Sequence, residues 1–104
     1  MPRKNIVLDS STVKILEKMG ARIKRARLRR NISVEVIADQ AGISETTFYA
    51  IEKGTSTVSI GAYAAALFVL GIDNDFETIA IDEEAKKQLY EQNLVKRKRA
   101  SKQR

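Results

Sequence analysis

Three consecutive residues, Gly42-Ile43-Ser44, constrain this chain more than any others. Before them, Ser33 is placed to cap a helix running to about Ala41, and Ile32 to staple onto Ile37. After them, Ser44 caps a further helix, Ile43 staples onto Phe48, and Gly54 ends it. Gly42 falls where a helix C-terminus takes a left-handed residue. Two short helices with only three residues between them must form a tight corner.

The rest of the sequence reads as helix too. No stretch alternates with period two, and the only proline is Pro2. A first helix is expected from Asp9-Ser10-Ser11 to about Arg30. Its apolar stripe is Ile15, Leu16, Met19, Ile23 and Ala26, and Gly20 is a place for it to bend or split. Arg22, Lys24, Arg25, Arg29 and Arg30 spread over its other faces. Ser59 caps a fourth helix, Ile60 to Leu70, that is almost wholly apolar and therefore belongs at the centre of the core, with a face available for a second subunit. After Gly71, a fifth short helix is expected from about Asn74 to Ala80, with Phe76 and Ile79 facing in. An amphipathic stretch then carries Leu89, Tyr90 and Leu94, and residues 96–104 compose a basic tail expected to be disordered when free. The fold class is therefore all-α, a five-helix domain. The expected organisation is an N-terminal arm (1–10), the main helical domain (11–81), and a C-terminal amphipathic segment with its basic tail (82–104).

Composition narrows the function. The 104 residues include neither cysteine nor histidine. That removes disulfides, thiolate metal sites and the usual general base. Neither a Gly-rich phosphate loop nor a motif-like carboxylate pair is present, so no enzyme, cofactor or metal is expected. No apolar run approaches the ~20 residues of a membrane span, and a cytoplasmic protein is expected. The net charge of +6 is unevenly distributed. Residues 1–30 hold 10 Lys/Arg against 2 Asp/Glu, residues 31–95 hold 3 against 11, and residues 96–104 hold 6 against none. Basic clusters at both ends suit a polyanion, although the same charges also suit a solvated helix face and a solubilising tail.

From Ile23 to Gly71 the chain resembles the Xre/lambda-repressor (Cro/C1-type) helix-turn-helix family. The residues that carry the resemblance are Ile23, Arg27, Ser33, Ile37-Ala38, Ala41-Gly42-Ile43-Ser44, Thr47-Phe48, Ile51-Glu52-Lys53-Gly54 and Leu70-Gly71. The resemblance implies that the third helix enters the major groove of double-stranded DNA, with its N-terminal residues on base edges. Glu45, Thr46, Tyr49 and Ala50 are then the base-contact positions. Glu45 can accept from a cytosine amino group, or simply complement the helix dipole. Thr46 can hydrogen-bond or meet a thymine methyl. Tyr49 can pack on a base or reach a phosphate. Ala50 stands where the family often has a long polar residue, which shifts weight to DNA shape. Phosphate contacts are expected from Arg27, Ser33, Ser44, Thr47, Lys53 and Thr55. Val34 replaces a glutamine common in the family and is not expected to make one. Arg27 and Glu52 match a buried ion pair. A homodimer on a palindromic operator is implied, with Phe68, Leu70, Ile72, Phe76 and Ile79 at its interface.

The end of the chain is similar to the tails of HipB-type antitoxins: Leu89-Tyr90-Glu91-Gln92-Asn93-Leu94 followed by Lys96-Arg97-Lys98-Arg99. That resemblance implies a transcriptional repressor that binds a HipA-like kinase toxin and represses its own operon. The alternatives are a stand-alone phage-like or restriction–modification regulator and, in another class, an RNA-binding protein, for which Tyr49 is the only obvious stacking aromatic.

Overall fold

Local capping chemistry fixes where each helix of this chain begins and ends. The computed structural model describes residues 6–102; Met1 to Asn5 of the N-terminal arm and the last two tail residues lie outside them. Among the described residues there are five α-helices and no strand: α1 (Ser10–Arg29), α2 (Val34–Ala41), α3 (Glu45–Glu52), α4 (Ile60–Leu70) and α5 (Glu83–Lys102). A 3₁₀ segment, Asp73–Thr78, stands between α4 and α5. The chain divides into two units, Met1–Asn74 and Asp75–Arg104.

In the first unit, each helix start is satisfied by one side chain. Asp9 accepts from the amide and hydroxyl of Ser11, and that hydroxyl holds the Asp9 carboxyl below its ordinary range. Ser33 accepts from Val36 N at 3.2 Å, Ser44 from Thr47 N at 3.1 Å and Ser59 from Ala62 N at 3.1 Å. Helix ends close as left-handed caps at Gly42 and Gly71, where the next amide bonds back to Ala38 O and Leu67 O. Asn31 (φ 53°) caps α1 in the same way, with Ile32 N donating to Arg27 O. The sequence reading did not assign this cap, although Asn is the commonest substitute for Gly there.

Phe48, Ile23, Ile37 and Ile51 are fully buried at the junction of α1, α2 and α3, and Tyr63, Ala66, Leu67 and Leu70 of α4 complete the core. Each large side chain so buried contributes about 1.5–3 kcal/mol. α1 is unbroken at Gly20. That glycine is buried against the end of α3, where an added Cβ would lie within 2.7 Å of Gly54 N, Glu52 O and Ile51 O. Gly54 (φ 72°) abuts the Leu16 carbonyl in return. Ile15, expected in the apolar stripe, is 63% exposed; Leu16, Met19 and Ala26 are half-buried and Ile23 is buried. The helical period puts Ile15 well off the side that carries Ile23.

In the second unit no described residue is buried. The expected fifth short helix is 3₁₀ rather than α; Phe76 is half-buried, and Ile79, expected to face in, is exposed. Asp, Asn and Thr side chains compete for the main chain there, as in the Thr78 hydroxyl donating to Asp75 O at 2.9 Å. Ala80, with φ 64°, interrupts the helix before Asp82 caps the next one. α5 continues to Lys102, into the tail for which composition alone suggests disorder. Its residues explain the extension. Glu83 and Glu84 complement the positive end of the dipole, Lys and Arg follow toward the negative end, and Ala, Lys, Arg and Gln are good helix formers.

Candidate nucleic-acid interface

The helical corner is set by packing on one side of each helix and capping at the joint. Gly42 ends α2 at φ 71°, and Ser44 caps α3 two residues later. Ala38 is buried with Ile37, consistent with a close crossing of α2 and α3. Phe48 and Ile51 are wholly inside, so the helical period turns Glu45, Thr46 and Tyr49 outward. All three are exposed, Tyr49 by 52%, and Ala50 is half-buried. The structure therefore brings three of the four expected base-contact residues to one free surface and tucks the fourth to its edge.

The hydroxyls expected at phosphates have local duties as well. Ser33 and Ser44 are exposed, and each also caps its helix. Ser44 additionally donates to the Thr47 hydroxyl at 2.9 Å. Thr47 and Thr55 are half-buried, and Lys53 is exposed. Val34 is buried, so its side chain has no part in the outer surface.

Arg27 is where the structure parts from the sequence reading. Its Nε donates to Glu52 Oε2 at 2.7 Å, Nη2 to Glu52 Oε1 at 3.3 Å and Nη1 to Ile32 O at 3.0 Å. The two side chains are only 10% and 5% exposed. This bidentate pair fastens the C-terminal end of α3 to α1 and to the turn before α2. Each of its three nitrogens is engaged within the fold and the residue is buried, so the structure places Arg27 in the positioning of α3 and not on the exposed surface that the other expected phosphate contacts share.

Tyr63, which the sequence reading left without a role at this surface, has one. Its hydroxyl donates to Thr55 O at 2.7 Å and ties the loop after α3 to α4. Burial raises its phenol above the usual 10.0. The available signal was a hydroxyl-bearing aromatic inside an otherwise apolar helix, since a buried tyrosine hydroxyl usually finds a partner.

Of the expected dimer residues, Phe68 is 70% exposed and Ile72 half-buried, whereas Leu70 is 2% exposed and belongs to the core. Leu70 would have to leave that core to touch a second subunit. Gly61, Ala64, Ala65 and Phe68 form the outward strip of α4 instead.

The fold and this surface define an all-α helix-turn-helix protein. Residues 18–76, more than half of the chain, match the family described as a helix-turn-helix domain, of the Xre/Cro-like kind. The chain belongs to that family and carries the architecture of a DNA-binding regulator. No curated protein matches the chain. Among the described residues no helix is long and apolar enough to cross a membrane.

Proposed function

We propose that this protein is a sequence-specific repressor that binds a palindromic operator as a homodimer. The observation that carries the reading is the presentation of α3: Phe48 and Ile51 are fully buried beneath exposed Glu45, Thr46 and Tyr49. Such a helix docks in the major groove with its first turns on base edges. Ser33, Ser44, Thr47, Lys53 and Thr55 hold the flanking phosphates, and the strip ending at Phe68, with Ile72 beyond it, receives the second subunit. Selection of bound sites from random duplexes tests this. The expected result is an enriched inverted repeat with half-sites about 10 base pairs apart. Thr46→Ala should then weaken binding to that site about tenfold, in line with about 1–3 kcal/mol per base contact, at an unchanged thermal midpoint. Enrichment of no motif, or equal affinity for the Thr46→Ala protein, overturns the reading.

The finer proposal is that the repressor is an antitoxin for a HipA-type kinase. Two features support it: the tail sequence described above, and the exposed side chains of Leu89, Tyr90 and Leu94 on α5. Co-purification with the neighbouring gene product is the test. A stable complex with a kinase-like protein is expected; a neighbour that does not bind leaves a stand-alone regulator.

A further inference from the structure

The outward face of α1 carries a row of cations with no counterpart in the site just described. Lys14, Lys18, Arg22, Arg25 and Arg29 are all exposed. At 100° per residue they fall within about 80° of one another. Their centre lies about 180° from Gly20, Ile23 and Arg27, the buried side that meets α3. Arg22, Arg25, Arg29 and Arg30 also line a shallow basin of ≈ 650 Å³ with Ala26 and Ile72, and no carboxylate borders it. The only ion pair among the described residues is Arg27–Glu52, although the sequence holds 13 acidic residues. Rows of like charge at i, i+3 and i, i+4 destabilise a helix by about 0.2–0.5 kcal/mol per pair. The row therefore runs against helix stability, offset only in part by Glu17 at i+3 from Lys14 and by the place of Arg29 in the last turn of α1.

We infer that this face is a second DNA-backbone surface, which lets one protein hold a second duplex while α3 occupies the first. The row spans about 22 Å along α1, the rise of roughly six or seven phosphates on one strand. Arginine matches phosphate with two parallel hydrogen bonds, and three of the five cations are arginines. The face looks away from α3, so a duplex lying along it is not the one in which α3 is seated. An acidic protein partner fits less well, because only Ala26 and Ile72 offer apolar contact in the basin and protein interfaces centre on buried aromatic or aliphatic anchors.

The inference rests on the DNA-binding reading, and one experiment separates the two. Full-length protein is loaded onto an immobilised duplex, washed, and offered a labelled duplex of unrelated sequence. The wild type is expected to retain the label. The variant Lys18→Gln/Arg22→Gln/Arg25→Gln/Arg29→Gln, built of good helix formers, should bind the first duplex within about threefold of wild type. It should retain less than about a tenth of the label. Its salt slope for the bridging step should fall by up to about 3.6, at about 0.9 per lost phosphate contact. The variant Arg22→Lys/Arg25→Lys/Arg29→Lys keeps the charge and should keep bridging. Undiminished bridging by the glutamine variant overturns the inference, because the two α3 helices of a dimer would then be holding the two duplexes. Loss of both binding steps in proportion overturns it too, by placing the row on the first duplex. Wild type that binds one duplex but never a second overturns this inference alone; failure to bind any duplex overturns the DNA-binding reading with it.

Discussion

Arg27 and Glu52 are favourable only together. Both are largely removed from water, and a lone buried charge costs far more than the pair. Glu52→Gln should therefore destabilise the fold by about 3 kcal/mol, with a fall in thermal midpoint of at least about 12 °C for a domain of this size. Chemical denaturation followed by circular dichroism checks this, and a loss below about 1 kcal/mol would mean that the pair behaves as a surface bridge. Tyr63 yields a pH prediction. Its folded-state pKa is raised by burial above the unfolded value near 10.0. The stability tied to its protonated form is therefore complete below that value and is lost as pH rises through the higher folded value. Stability should decline above about pH 10, and Tyr63→Phe should flatten that decline while costing about 1 kcal/mol at neutral pH through the lost hydrogen bond to Thr55 O. An equal alkaline decline in the Phe variant would remove Tyr63 from the account. The sequence announced Arg27 and Glu52 as partners through their family positions. It did not show that every guanidinium nitrogen would find a partner within the fold, because the third bond goes to a main-chain oxygen, Ile32 O, that no residue type encodes.

At the scale of elements, the boundaries of α2, α3 and α4 were legible because caps are local: Ser33, Ser44 and Ser59 open them, and Gly42 and Gly71 follow α2 and α4. Gly20 was not legible. A glycine inside a helical pattern reads as a weak point, yet α1 passes through it unbroken because another main chain lies against it. The two helical glycines should therefore respond in opposite directions to alanine. Gly61, whose nearest neighbour to an added Cβ is Ser59 Oγ at 3.9 Å, should gain about 0.5–1 kcal/mol. Gly20→Ala should lose about 2 kcal/mol despite the same gain in helix propensity, because the clash is with backbone. Thermal melts of the two variants decide it; shifts of the same sign would show that α1 can slide off α3 at little cost. The segment after Gly71 was the least legible. Period and composition suggested an inward-facing α-helix, but Asp73-Asn74-Asp75 favours short-range bonds and leaves the chain 3₁₀.

For the whole molecule, the fold class was readable because its decisive signals, the corner at Gly42 and the apolar α4, each lie within a few residues of sequence. The placement of site residues was readable only where one helix period decides it, as for Glu45, Thr46 and Tyr49. The burial of Leu70 and the exposure of Ile79 were not readable, because their surroundings depend on which elements follow and how they pack. No described residue beyond Leu70 is buried. Removal of residues 82–104 should therefore shift the thermal midpoint by less than about 4 °C, the equivalent of about half a kcal/mol, at fixed protein concentration; a larger fall would show that α5 supports the fold. The Gly20–Gly54 contact bears on how such a protein can change its target. The far end of α3 meets α1 main chain to main chain there, besides the Arg27–Glu52 pair and the buried Ile51, so its angle is set by atoms that every substitution at Glu45, Thr46 or Tyr49 leaves in place. The reading head can be exchanged while the chassis stays put, and new specificities are reachable by a few surface replacements without refitting the scaffold.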